Sequence, residues 1–198
     1  MIRMERQEVS QVNNITHSSI IASEETKNGE KLILTKLTLR DIEDIIKLQD
    51  KVSHALLNKE TYVCSSKEEF EKVIQNNGLL GYKTEDQKLV ALGAYMSYGY
   101  DLHNYGYDLE FNEDKLLTVG QIESTIVDPE YRGNGLQKKL CEALEILARE
   151  EQKNYIMATV SPMNPYSLNN FLKLGYINEK EKLKYGGLRR YILCKKLV

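Results

Sequence analysis

The sequence predicts one α/β (α+β) domain: a sheet whose two faces are covered by helices. Three observations predict it. Apolar spacing switches repeatedly along the chain between a period of two and a period near 3.6. The switches are punctuated by helix-start and turn residues at the proper offsets. The length of 198 residues suits a single domain, at about 100–200 residues per domain, and can bury a core without staples.

Residues 1–30 are polar and weakly patterned, and read as an N-terminal extension or tail ahead of a domain at 31–198; Ile20 and Ile21 are apolar candidates for docking on it. Lys31–Leu37 is a short apolar run with strand character. Thr38 and Asp41 have the form of a capping box. Ile42, Ile45, Ile46, Val52 and Leu56 then follow at helical spacing, predicting a helix to about Leu57. Ser66 and Glu69 make a second capping box before Phe70, Val73 and Ile74, and Asn76, Asn77 and Gly78 end that helix. Leu79–Lys83 and Lys88–Tyr98 read as strands around a turn. The stretch Tyr98–Lys115, rich in Tyr, Gly, Asp and Asn, has no clean period and reads as a long loop.

Thr118–Val127 is the next strand. Alternation predicts Val119, Gln121, Glu123, Thr125 and Val127 on one face, with Ile122 and Ile126 on the other. Gly135–Glu150 is amphipathic through Leu136, Leu140, Leu144 and Leu147. Tyr155–Val160 is a strand. Pro165–Leu174 is a helix with Asn164 as its cap, Pro165 at its first position and Gly175 past its end. Ile177–Tyr185 and Arg190–Leu197 close the chain as strands around Gly186 and Gly187.

Composition excludes several function classes. A net charge of −2 gives no strong field for nucleic acid or anionic lipid. The three cysteines, Cys64, Cys141 and Cys194, have no metal-ligand spacing and read as idle thiols in a reducing compartment. No apolar run approaches the roughly 20 residues of a membrane span, and the N-terminus has no signal-peptide pattern. The expectation is a cytoplasmic protein with no metal, no nucleic-acid partner and no membrane partner; a homodimer stays open.

The chemistry concentrates between Glu123 and Leu140. A strand ends near Val127 and a helix opens through Arg132, Gly133, Asn134 and Gly135. Glycines allow close backbone approach. The first helical turn leaves about four N–H groups without partners, which together with the helix dipole favours a phosphate. Arg132 supplies a cation, and Lys138 and Lys139 are further candidates. A Walker loop needs Gly-Lys-Ser/Thr where this chain has Gly135, Leu136 and Gln137. A dinucleotide fingerprint needs a third glycine where Lys138 stands. The bland alternative is an ordinary strand-to-helix turn with a surface arginine.

These residues resemble the GNAT acetyltransferases, whose motif is Gln/Arg-x-x-Gly-x-Gly/Ala after a strand. Arg132 to Gly135 match its first four positions, Val127 to Tyr131 match the usual lead-in, and Gln137 stands where the family prefers Gly or Ala. A second stretch, Asn164, Ser167, Phe171, Gly175 and Tyr176, resembles the family pattern Asn-x-x-Ser/Ala-x-x-x-Tyr/Phe-x-x-x-Gly-Phe/Tyr. By element order the resemblance covers residues 31–197; it is specific in 121–140 and 161–176.

The resemblance implies a GNAT fold with a central mixed, mostly antiparallel sheet, and an N-acetyltransferase that moves acetyl from acetyl-CoA to a primary amine by direct attack. It implies pyrophosphate on the loop and helix start from Arg132 to Lys138. It also implies backbone N–H groups from Thr125, Ile126 and Val127 toward the thioester, and Asn164 and Ser167 beside the pantetheine and phosphates. Asn164 as a cap alone stays open. Glu123 occupies a usual place for the family's carboxylate and is the candidate base; a merely amine-binding or network role stays open. Many members carry Tyr where Phe171 stands, and Phe171 cannot donate a proton to the leaving thiolate. Two alternatives follow: a GNAT-fold protein that holds acyl-CoA without turnover, and an interaction protein that binds no nucleotide. The loop carrying Tyr98, Tyr100, Tyr105, Tyr107, Asp101, His103 and Asp108 suits a cationic amine or simply packs. Small amine, amino acid, aminoglycoside-like compound and protein N-terminus all remain open as acceptors, and so does an acyl group larger than acetyl.

Overall fold

Two capping boxes set the first helices of the protein. In the computed structural model, which describes residues 20–197, the Thr38 and Asp41 side chains exchange hydrogen bonds with each other's backbone ahead of α1 (Ile42–His54). Ser66 and Glu69 do the same at the start of α2 (Lys67–Gln75). α1 ends at His54, short of Leu57, which is fully exposed. The remaining helices are α3 (Glu113–Leu116), α4 (Leu136–Glu150) and α5 (Pro165–Lys173).

The strands are β1 (Ile20–Glu25), β2 (Lys31–Lys36), β3 (Leu79–Thr84), β4 (Leu89–Met96), β5 (Val119–Val127), β6 (Tyr155–Val160), β7 (Ile177–Lys184) and β8 (Leu188–Lys196). They form one eight-stranded sheet in the order β1-β2-β3-β4-β5-β6-β8-β7. Every neighbouring pair is antiparallel except β5 and β6, which α4 connects as a parallel crossover. The sheet is therefore mixed and mostly antiparallel. Residues 20–25, within the stretch read as an extension, pair with β2 as an edge strand; residues 1–19 of that stretch lie outside the described residues. The loop after β4 is also partly ordered, holding a 3-10 turn at Tyr105–Leu109 as well as α3.

Helices cover both faces. Leu136, Leu140 and Leu144 of α4 pack with Leu34, Tyr82, Tyr95 and Ile122, joined by Phe171 of α5. On the opposite face Ile45 and Leu48 of α1 and Phe70 and Val73 of α2 pack with Leu79, Leu92 and Ile126. Their apolar spacing in the sequence is the cause: each helix has one stripe to bury, and burial of such side chains is worth about 1.5–3 kcal/mol each.

β5 does not alternate as predicted. Opposite it, Ala94 pairs with Ser124 and Tyr95 with Ile122, so β5 carries one extra residue, Glu123. Such a bulge shifts side-chain parity and bends the strand. Ile122 accordingly joins the α4 core and Ile126 the α1–α2 core, so the two do not share a face. Thr125 and Val127 turn toward α4, away from the side that Gln121 and Glu123 occupy.

The bulge coincides with a second feature. β5 and β6 pair only from Val119–Tyr155 to Ile122–Ala158. Beyond it β5 continues along β4, and β6 along β8, with no ladder between them among the described residues. The sheet thus opens in its middle, with the N-termini of α4 and α5 at the opening.

Candidate active site

The strand-to-helix turn after β5 is tied down from behind. Asp128, 1% exposed, caps the short 3-10 turn at Pro129–Tyr131 through Glu130 N at 3.0 Å and is paired with Lys51 Nζ at 2.8 Å. The Asp128 N–H donates to Val90 O at 2.9 Å. Gly133 and Gly135 have φ of +83° and +74°, a region that favours glycine. A Cβ at Gly135 would meet nothing within 4 Å, so glycine is there for its conformation and the open approach it leaves. Asn134 turns inward: its Nδ2 donates to Tyr131 O at 3.0 Å and its Oδ1 accepts from Lys27 N at 2.9 Å.

This arrangement leaves the N–H groups from Gly133 to Lys138 without protein acceptors among the described residues; the first helical bond is Lys139 N to Gly135 O at 3.1 Å. Successive free donors at the positive end of a fifteen-residue helix form an anion cradle. Arg132 is exposed beside it. Lys138 is 3.6 Å from Glu142 on the next turn. Lys139, a sequence candidate, points elsewhere and pairs with Glu24 of β1. Leu136 and Ile126 have buried side chains, so only their backbone can serve a ligand.

Gln137 spans the opening. Its Nε2 donates to Thr125 Oγ1 at 3.0 Å and Ser167 Oγ at 2.7 Å, while its Oε1 accepts from Asn170 Nδ2 at 2.7 Å. The structure thus brings Thr125, Gln137 and Ser167 together. Asn164 Oδ1 accepts from Ser167 N at 3.1 Å, so this oxygen is used as the cap of α5. Phe171 lies in the core, 3% exposed, its ring edge-on to Tyr176 at 4.9 Å, and Tyr166 points to solvent.

On the opposite side of the bulge Glu123 lines a cavity of about 230 Å³ with Glu69, Lys72, Tyr98, His103 and Met96. Gln121, buried beneath it, donates from Nε2 to Glu123 Oε1 and to His103 O, and accepts from Tyr105 N at 2.9 Å. The Tyr105 hydroxyl donates to Glu123 Oε2 at 3.2 Å. Burial pushes the Glu123 carboxyl above the ordinary glutamate range, against the hydrogen bonds from Gln121, Tyr105 and Tyr98 that hold it down. His103 is bound to Asp101 at 2.6 Å and stacks on Tyr98, and its side chain is largely exposed.

Tyr185 and Thr159 complete this cluster from the β7–β8 turn and from β6, and nothing in the local sequence marks Thr159 for it. One sign was readable for Tyr185. It precedes Gly186 and Gly187 in a tight turn, where a small or Asn-like residue is the normal choice.

A strand pair that parts in front of a helix start with free donors defines an anion-accepting cleft with a carboxylate on its far side. The sequence matches the acetyltransferase (GNAT) family over residues 54–176. The chain belongs to that family. Solved structures share the fold at low identity. An N-acetyltransferase from Staphylococcus aureus Mu50 is 16% identical with a TM-score of 0.63, covering 84% of this chain and 99% of its own. The yncA protein from Salmonella typhimurium, solved with its cofactor acetyl-CoA, is 17% identical with a TM-score of 0.63, covering 84% and 94%. Arylalkylamine N-acetyltransferase 2 from Aedes aegypti is 17% identical with a TM-score of 0.64, covering 84% and 99%. Among the curated proteins no sequence matches. No helix among the described residues is long and apolar enough to cross a membrane.

The raised Glu123 pKa has a stability consequence. At a pH above it, the folded protein holds an ionised carboxylate that the fold disfavours; below the ordinary glutamate range both folded and unfolded chains are protonated and the penalty is gone. Glu123→Gln is therefore expected to raise the melting temperature at neutral pH. The gain should shrink as pH falls through the raised pKa toward the ordinary range. Thermal melts of both proteins across pH check it; a variant less stable at neutral pH contradicts the assigned cause.

Proposed function

We propose that the protein is an N-acetyltransferase that moves an acetyl group from acetyl-CoA to a primary amine by direct attack. The observation that carries this reading is the opening between β5 and β6, with free helix donors on one side and the Glu123 carboxylate on the other. The yncA neighbour, solved with acetyl-CoA, supports the choice of cosubstrate.

Acetyl-CoA supplies an activated thioester. The chain supplies the rest. Backbone N–H groups from Gly133 to Lys138, with Arg132 and the Lys138 side chain, bind the pyrophosphate. Where β5 leaves β6, alternate backbone groups of Thr125, Ile126 and Val127 face the opening without a strand partner, and an N–H there donates to the developing oxyanion. Ser167 and Gln137 line the same opening, and Asn164 holds the start of α5. The amine, whose ordinary pKa near 10.4 keeps it charged in water, reacts in its neutral form, and Glu123 accepts the proton it loses as it attacks. Its raised pKa makes it a stronger base than an exposed glutamate. The cavity beside it, with Tyr98 and Glu69, receives the amine. No metal enters this mechanism. The catalytic domain is 31–198, with the edge strand at 20–25 added to its sheet. The free thiols, Cys64, Cys141 and Cys194, fit a cytoplasmic setting.

Gly135→Asp puts a carboxylate and a Cβ into the donor cradle. The expected result in calorimetry is loss of measurable acetyl-CoA binding with the circular dichroism spectrum retained; wild-type affinity overturns the assignment of the loop.

Glu123→Gln is expected to lower kcat/KM by roughly 10²–10⁴-fold, as loss of a general base does, with acetyl-CoA affinity kept. The base works only when ionised, so wild-type activity should rise with pH through a limb above the ordinary glutamate range. That limb should vanish in the variant. A raised KM at unchanged kcat would instead assign Glu123 to amine binding alone.

A further inference from the structure

The thiolate that leaves in this reaction has no donor at Phe171, which is buried in the α4 core. A different set of groups fills the other face of the sheet. Glu123 on β5, Tyr105 in the loop, Tyr185 in the β7–β8 turn and Thr159 on β6 are joined end to end. Tyr105 Oη lies 3.2 Å from Glu123 Oε2 and 2.7 Å from Tyr185 Oη, which lies 2.9 Å from Thr159 Oγ1. Thr159 is the first residue of β6 beyond its last pairing with β5, at Ala158. The chain of hydroxyls therefore runs from the candidate base to the mouth of the opening.

We propose that Tyr105, Tyr185 and Thr159 form a proton relay that carries the proton taken up by Glu123 to the cleft between β5 and β6. This rests on the reading of Glu123 as the base.

The step balances. The substrate ammonium first loses one proton to solvent; the neutral amine then attacks, and as its lone pair forms the C–N bond and the C–S bond breaks, the nitrogen gives its second proton to the Glu123 carboxylate. The new carboxylic acid donates to the Tyr105 oxygen, whose hydroxyl turns from Glu123 to Tyr185. Tyr185 then donates to Thr159, and the Thr159 proton leaves into the cleft, where it neutralises the departing thiolate. Each oxygen of the relay gains one proton and loses one, so no tyrosinate remains.

Two cations flank the relay. Lys184 Nζ sits 4.7 Å from the centre of the Tyr105 ring, and the Arg190 guanidinium 5.5 Å from that of Tyr185. The Arg190 charge favours transient negative charge on the Tyr185 oxygen. Arg190 is itself buried and held by Glu60 O at 2.8 Å; Lys184 and Lys182 are paired with Asp108. Around Glu123 the other charged or titratable groups are Glu69, Lys72, Tyr98 and the His103–Asp101 pair. Burial holds Tyr105 well above the ordinary phenol range, so it stays protonated as a donor at rest.

The turn argues that Tyr185 is kept for its hydroxyl. Tyr185 and Gly186 both have positive φ, +51° and +79°, and Gly187 N donates to Lys184 O at 3.1 Å. This is the sign pattern of a type I′ turn, whose first central position favours Asn, Asp or Gly. A tyrosine there is strained. It is also 43% exposed, so burial gives little in return.

The test uses the full chain with Tyr185→Phe and Tyr185→Asn, acetyl-CoA, and the best acceptor from a panel of alkylamines, arylalkylamines and amino acids. Tyr185→Phe should lower the single-turnover rate about tenfold or more with KM unchanged. Its rate in H2O–D2O mixtures should lose the curvature of a multi-proton transfer that wild type shows. Tyr185→Asn should be as slow, yet melt no lower than wild type because the turn is relieved. A Tyr185→Phe enzyme with wild-type rate and isotope curvature, or with a change in KM alone, overturns the relay. So does a Tyr185→Asn protein that melts well below wild type. If Glu123→Gln is crippled while Tyr185→Phe is not, only the relay fails; if Glu123→Gln is fully active, the assignment of the base fails with it.

Discussion

β5 holds one residue more than the strand it pairs with, and the surplus residue is Glu123. A bulge turns its strand and shifts side-chain parity by one. Here Glu123 and Ser124 come to lie on the same side, toward α1 and α2, where Ser124 meets the Tyr62 hydroxyl and Glu123 meets the cavity. Thr125 is sent to the other side, toward Gln137 and Ser167. The ladder to β6 ends at Ile122, one residue before the bulge. One inserted residue therefore aims the carboxylate, faces the cleft with a backbone free on one edge, and separates the two sides of the candidate site.

The loop that follows is held from outside so that its donors stay free inside. Asp128 anchors it to Lys51 and to the Val90 carbonyl. The β1–β2 hairpin anchors it again: Lys27 N donates to Asn134, Tyr131 donates to Glu30 at 3.1 Å, and Lys139 pairs with Glu24. Donors fixed before a ligand arrives need no reorganisation when it binds, which is where affinity and transition-state stabilisation come from. The hairpin contributes no recognisable motif, yet it holds the loop that does.

Much of this was legible in the sequence because it is local. The caps at Thr38, Ser66 and Asn164, the glycines at 133 and 135 and the amphipathic stripe of α4 depend on neighbours within one or two turns, and they appear where spacing predicts. What was not legible depends on partners far along the chain. The bulge exists only relative to Ala94 and Tyr95, so strict alternation put Ile122 and Ile126 on one face when they lie in different cores. The side chains of Asn134 and Lys139 are taken by Lys27 and Glu24 from the polar N-terminal stretch, a use that no local pattern announces. Gln137 departs from the family pattern, and only the fold reveals its hydrogen bonds to Thr125, Ser167 and Asn170. Tyr105, Tyr185 and Thr159 meet through tertiary structure alone.

The measurement that bears most directly on the opening as the cofactor site is a titration of the 15N-labelled protein with acetyl-CoA, following backbone amide shifts. The amides of Gly133–Lys138 and of Thr125–Val127 should move most, and those of the outer strands β1 and β7 should stay in place. Saturable binding that leaves both of those stretches unperturbed would contradict the account.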